Sequence, residues 1–116
     1  MNASIDAAKK GDIDKLRAFI DNRADVQAHD ECGFTALMWA AMRGHADCVS
    51  LLINAKAALD TRSLDERSGV TALIWAAFCG RTACVRLLID ANANLEIQDN
   101  YGRTAFLEAL KIGHAD

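Results

Sequence analysis

The sequence predicts an all-α fold, a stack of short helix–turn–helix units repeated along one chain of 116 residues. Three observations carry that prediction. TALMWAAMRGH (Thr35 to His45), TALIWAAFCGR (Thr71 to Arg81) and TAFLEALKIGH (Thr104 to His114) are variants of one phrase. All 7 Gly obey one period: Gly33, Gly69 and Gly102 precede the Thr of each phrase by two residues, at spacings of 36 and 33, and Gly11, Gly44, Gly80 and Gly113 follow at spacings of 33, 36 and 33. Finally, the hydrophobic fraction is 52% but aromatics are only 6% and Ala is abundant, which suits closely packed helices better than a sheet sandwich. Self-similarity at a fixed period marks an architecture in which each unit buries its apolar face only against its neighbours.

Taken in order, each unit has a physical reading. Asp30-Glu31-Cys32-Gly33 is turn chemistry, with Gly available for positive φ. Thr35 is a good N-cap for a first helix over Ala36–Arg43, which Gly44 ends. A second helix over Ala46–Ala55 places Val49, Leu52 and Ile53 on one face. Ala57-Ala58-Leu59-Asp60 then returns the chain to the next turn. Thr71, Gly80 and the run Val85 to Ile89 repeat the pattern, while the first unit lacks its turn and enters with Ala7-Ala8-Lys9-Lys10-Gly11. Helices this short do not hold alone in water, so the units must stack. Trp39 and Trp75, 36 residues apart, are expected to pack onto each other's repeats, and Glu108 stands at that place in the last unit.

At these residues the unit resembles the ankyrin repeat, a turn plus two antiparallel helices with a T-P-L-H-x-A signature. The resemblance implies an ankyrin-repeat solenoid of helix-turn-helix units joined by β-hairpin-like turns, in a right-angled L-shaped stack. It divides a single 1–116 domain into a partial repeat 1–29, repeats 30–65 and 66–98, and a truncated repeat 99–116. Three departures stand out. The family's Pro is Ala36, Ala72 and Ala105 here, so the helix starts are less preorganised. Its His is Met38, Ile74 and Leu107, so apolar burial must replace a hydrogen-bond network. The Gly after the second helix is Arg23, Lys56 and Asn92, and a left-handed conformation there would cost Arg and Lys roughly 1 kcal/mol each.

Catalytic, metal and membrane functions find little in the sequence. Net charge is -3, against a general nucleic-acid binder. No apolar run approaches the ~20 residues of a membrane span. The start MNASIDAAKK carries no apolar signal core, so an intracellular place, cytoplasm or nucleus, is expected. Cys32, Cys48, Cys79 and Cys84 lack metal-ligand spacing with the 3 His, and free thiols are expected. Cys48 and Cys84, equivalent in successive second helices, read as core residues. His45 and His114 read as local hydrogen-bonding groups at a helix start. No cofactor or phosphate loop is expected, since every Gly is isolated. A redox enzyme using Cys79 and Cys84 is the outlying alternative.

What the resemblance implies is partner binding through the turn tips and the exposed side of the first helices. Carried over, those positions are Lys9, Lys10 and His29; Glu31, Cys32, Phe34, Met42, Arg43 and Arg62; Arg67, Ser68, Val70, Phe78, Cys79 and Gln98; and Asn100, Tyr101, Arg103, Lys111 and Ile112. Large apolar residues here (Phe34, Met42, Val70, Phe78, Tyr101, Ile112) read as a contact patch, with hairpin bracing the other reading for Phe34 and Val70. Seven of the 13 basic residues fall in this set against Glu31, and the turn acids Asp30, Glu66 and Asp99 dilute the excess. The expected function is a protein–protein interaction module without catalysis. Its partner-binding residues are Phe34, Met42, Arg43, Arg62, Arg67, Val70, Phe78, Tyr101 and Arg103, and an acidic partner segment is expected. The alternative is a regulatory or spacer segment of a larger protein. The extra Ser63-Leu64-Asp65 either touches a partner or is merely tolerated. Phe106, Leu107, Leu110 and Ile112, with no second helix to cover them, suggest a longer array or self-association at this end.

Overall fold

The computed structural model describes residues 2–64 and 69–105. Among the described residues six helices run in chain order: α1 (Ala3–Lys10), α2 (Ile13–Asp21), α3 (Ala36–Arg43), α4 (Ala46–Asn54), α5 (Ala72–Phe78) and α6 (Thr82–Asp90). They form two layers. The inner layer is α1, α3 and α5 side by side, the outer layer α2, α4 and α6, and each inner helix also packs on its own outer partner.

The starts and stops follow the residues read from sequence. Thr35 and Thr71 are extended, and their hydroxyls accept the amides of Met38 and Ile74 at 3.3 and 3.2 Å. Asn2 and Asp12 cap α1 and α2 in the same way. The outer helices α4 and α6 begin at His45 and Arg81, which make no side-chain cap. Their side chains reach the preceding unit instead: His45 Nε2 lies 3.3 Å from the Lys9 carbonyl, and Arg81 Nε donates to the Met42 carbonyl at 3.1 Å. The local role expected for His45 is therefore corrected. It ties one unit to the next, at the exposed carbonyl end of α1, where orphan acceptors need donors. His114 lies outside the described residues.

Leu37 and Leu73 inside, and Leu52 and Leu88 between the layers, are buried at repeat-equivalent points, as are Cys48 and Cys84. Ala40, Ala41, Ala76 and Ala77 allow the inner helices to approach closely. Between units the loops are tied by side chains: Gln27 donates to the Lys56 carbonyl and accepts from the Ala58 amide, and Asp60 accepts the Asn94 amide.

Arg23, Lys56 and Asn92 do adopt positive φ, at 63°, 67° and 70°. In each case the next amide reaches back to the helix (Ala24 to Phe19, Ala57 to Leu52, Ala93 to Leu88), the pattern that normally takes Gly. Arg23→Gly combined with Lys56→Gly should therefore raise stability by about 1–2 kcal/mol, less some added unfolded-chain entropy. The check is a higher urea midpoint at unchanged m-value.

Candidate functional site

The loops that cross from one unit to the next are built on hydrogen-bonded carboxylates, Asp99 buried and Asp30 half-buried. Asp30 Oδ1 accepts the amides of Cys32 and Phe34 at 3.0 and 2.9 Å, and Oδ2 accepts the Trp39 indole N–H at 3.0 Å. Asp99 repeats this, with Oδ1 on the amides of Tyr101 and Arg103 and Oδ2 on Arg103 Nε at 2.7 Å. Burial pushes both carboxyls up, but these N–H groups and the nearby Lys9 or Arg103 charge outweigh it, so both titrate below the ordinary 3.8. The loop ends pair as short hairpins, Asp30 with Phe34, Ser63 with Val70 and Asp99 with Arg103.

These loops carry an aromatic stripe along the inner helices. The Phe34 ring lies 5.3 Å from Trp39 and 5.5 Å from Trp75, and Trp75 meets Phe78 edge-on at 6.4 Å. The two Trp thus join neighbouring units through Phe34 rather than by stacking directly. Cations flank the stripe. Lys9 and Arg43 lie over Trp39, and the Arg103 guanidinium lies 5.6 Å from Phe78 and 5.3 Å from Tyr101. Among the described residues the buried Trp75 Nε1 has no hydrogen-bond partner, unlike Trp39 Nε1. The repeat counterpart of Asp30 is Glu66, which lies outside the described residues.

The residues expected to meet a partner separate into three groups. Phe78 and Tyr101 are exposed, at 52% and 67%, with the half-buried Arg103 against both rings, and Arg43 is exposed beside Trp39. Phe34 and Val70, at 9% and 3%, are not free, which corrects their reading as contact residues. Each follows the hairpin Gly and is buried in the core, Phe34 between the Trp39 and Trp75 rings of neighbouring units, where its area is worth more than in water. Met42 is half-buried against the core. Arg62 is exposed but committed to the loops, with Nε on the Gly69 carbonyl and Nη2 on Asn100 Oδ1. Arg67 lies outside the described residues, as do Ser68, Phe106, Leu107, Leu110, Lys111 and Ile112. Sequence reasoning passed over Trp39 and Lys9 as a unit, since nothing in the repeat shows that Lys9 crosses to the next unit's indole.

Of the extra Ser63-Leu64-Asp65, Ser63 is buried and its hydroxyl accepts the Val70 amide, while Leu64 is 68% exposed. Asp65 lies outside the described residues. Three of the thiols are held away from the reactive thiolate form. Burial pushes Cys48 up to about 11, and burial also raises Cys84 and Cys79, the latter against the opposing Arg81 charge. Among the described residues no three or more His, Cys, Asp or Glu are grouped to hold a metal ion, and no helix is long and apolar enough to cross a membrane.

Paired short helices, stacked through side-chain ties and fringed by carboxylate-based hairpins, define a helical repeat protein whose candidate site is an open surface. The chain belongs to the ankyrin repeat family: the model of ankyrin repeats in 3 copies matches residues 4–99 and 57–116. It is also similar to curated proteins named osteoclast-stimulating factor 1. The likeness is 43% identity over 49 residues for that of Monopterus albus (42% of this chain, 23% of the relative). It is 47% over 47 residues for that of Sus scrofa (40% and 22%), and 38% over 53 residues for that of Danio rerio (46% and 25%). The matches span a quarter or less of the length of these relatives.

Proposed function

We propose that this chain is a protein-binding module which takes an acidic, apolar-anchored segment of a partner along its inner helices and hairpin tips. The observation that carries this is the pair of exposed rings, Phe78 and Tyr101, gripping the Arg103 guanidinium that Asp99 holds in place. An aromatic pair and an Arg at a partly desolvated spot is the composition of an interface hot spot. The work of the site is recognition rather than catalysis, and an intracellular setting suits it. Phe78→Ala with Tyr101→Ala should weaken binding of a partner captured by the wild-type chain at least tenfold, with little change in melting, because both rings are more than half exposed. Unchanged affinity in a titration would sink the assignment.

Self-association is a second reading with its own support. Ile53 and Leu59 are half-buried against the core, whereas their repeat equivalents Ile89 and Leu95 are exposed. A second copy could cover them, and light scattering across concentration would then show a growing mass.

A further inference from the structure

Two cations converge on one indole, and among the described residues neither is paired with a carboxylate in direct contact. Lys9 Nζ lies 4.3 Å and Arg43 Cζ 5.5 Å from the centre of the Trp39 ring. They come from the last turns of α1 and α3, so only the stacking of two units brings them together. Among the described residues no carboxylate oxygen comes within 4.0 Å of either. The Asp30 carboxylate, which feels the Lys9 charge, is already committed to three N–H donors. A basic residue at a helix C-terminus is an ordinary complement to the helix dipole, and that accounts equally for Lys10. It does not account for two like charges sharing one ring across a unit boundary. Cation–π attraction offsets part of their repulsion, and an anion placed between them would remove the rest.

We propose that Lys9, Arg43 and Trp39 form a subsite for a carboxylate side chain of an acidic segment in another protein. The two cations pair the carboxylate, and the indole supports the aliphatic stem beneath it. Because the aromatic stripe continues from Trp39 through Phe34 and Trp75 to Phe78, the segment's apolar anchor lies toward Phe78 and Tyr101. This rests on the protein-binding reading above and names the chemistry of the partner.

The test is selection of extended peptides from a randomised display library on the whole chain. Each selected peptide is then synthesised and titrated against wild type, Lys9→Gln/Arg43→Gln and Phe78→Ala/Tyr101→Ala. Peptides carrying Asp or Glu beside a large apolar residue are expected, with affinity falling tenfold or more in the Gln pair and falling with added salt in wild type alone. Thermal melts identify any variant that fails to fold, and Lys9→Met/Arg43→Met, which keeps the stems, then replaces the Gln pair. Peptides that need Phe78 and Tyr101 but bind the Lys9/Arg43 variants normally would overturn this subsite alone. Peptides indifferent to both pairs would overturn the binding reading itself. A concentration-dependent dimer of the chain lost in the Gln pair would assign the subsite to a second copy, also overturning the proposal.

Discussion

Replacing Asp30 with Ala is expected to destabilise the chain by about 2–4 kcal/mol. The carboxylate takes three N–H donors at 2.9–3.0 Å, two from its own hairpin and one from the Trp39 indole on the helix that follows. The Cys32 amide belongs to an exposed residue and can turn to water. The Phe34 amide and the indole N–H are part-buried, and a donor left without an acceptor there costs up to roughly 1–3 kcal/mol. A double-mutant cycle separates the two. Trp39→Phe should cost clearly less in the Asp30→Ala background than in wild type, with a coupling of about 1 kcal/mol or more by urea denaturation. Strict additivity would mean that the indole bond is energetically idle.

The same loops set the acid limit of the fold. Asp30 and Asp99 titrate below the ordinary 3.8 when folded, because the N–H groups and cations around them more than offset burial. Their stabilisation is therefore fully present above the unfolded value and is lost as pH falls through the lower folded values. The urea midpoint of wild type should drop below pH 3.8, and that of Asp30→Asn/Asp99→Asn, lower at neutral pH, should drop less over the same interval.

Most of the frame was legible in the sequence because the repeat says everything more than once. Thr35 and Thr71 cap, and Ala36–Arg43 is the first helix to the residue. Ala46–Ala55 differs from α4 only in Ala55, which is the cap. The left-handed Arg23, Lys56 and Asn92 follow from where Gly would stand in a Gly-ended helix. The site was less legible, for a definite reason. A residue after a hairpin Gly can face the seam or the solvent, and local pattern does not choose. Repeat equivalence does offer a signal: Phe34 and Val70 are both apolar at one point of the period, as Cys48 and Cys84 are, and shared character at that point marks packing. The third member of that set is Arg103, whose guanidinium lies against exposed rings. Contacts across units, such as His45 on the Lys9 carbonyl or Lys9 over Trp39, join residues about one period apart that no local spacing links.

Gly33→Ala should be among the most damaging single changes in the chain, and Gly102→Ala supplies its control. Both glycines have nearly the same left-handed φ, 79° and 77°, so both substitutions carry the same conformational cost of about 1 kcal/mol. Their surroundings differ. A Cβ on Gly33 would press against the backbone nitrogen of Leu64 and within 2.5 and 2.6 Å of its Cβ and Cγ, whereas one on Gly102 meets no described atom within 4 Å. Relieving the clash means moving a backbone segment, not swinging a flexible tip, so overpacking adds roughly 1–3 kcal/mol more. The difference between the two variants measures how firmly the start of the extra segment is seated. That seat reaches into the proposed binding surface. Next to Leu64, Ser63 holds the Val70 amide, and Arg62 spans Gly69 and Asn100 beside Tyr101. Gly33→Ala, but not Gly102→Ala, should therefore also weaken partner binding at temperatures where both variants remain folded. Equal stabilities would show that Leu64 yields freely and that the extra residues are carried by the fold rather than docked on it.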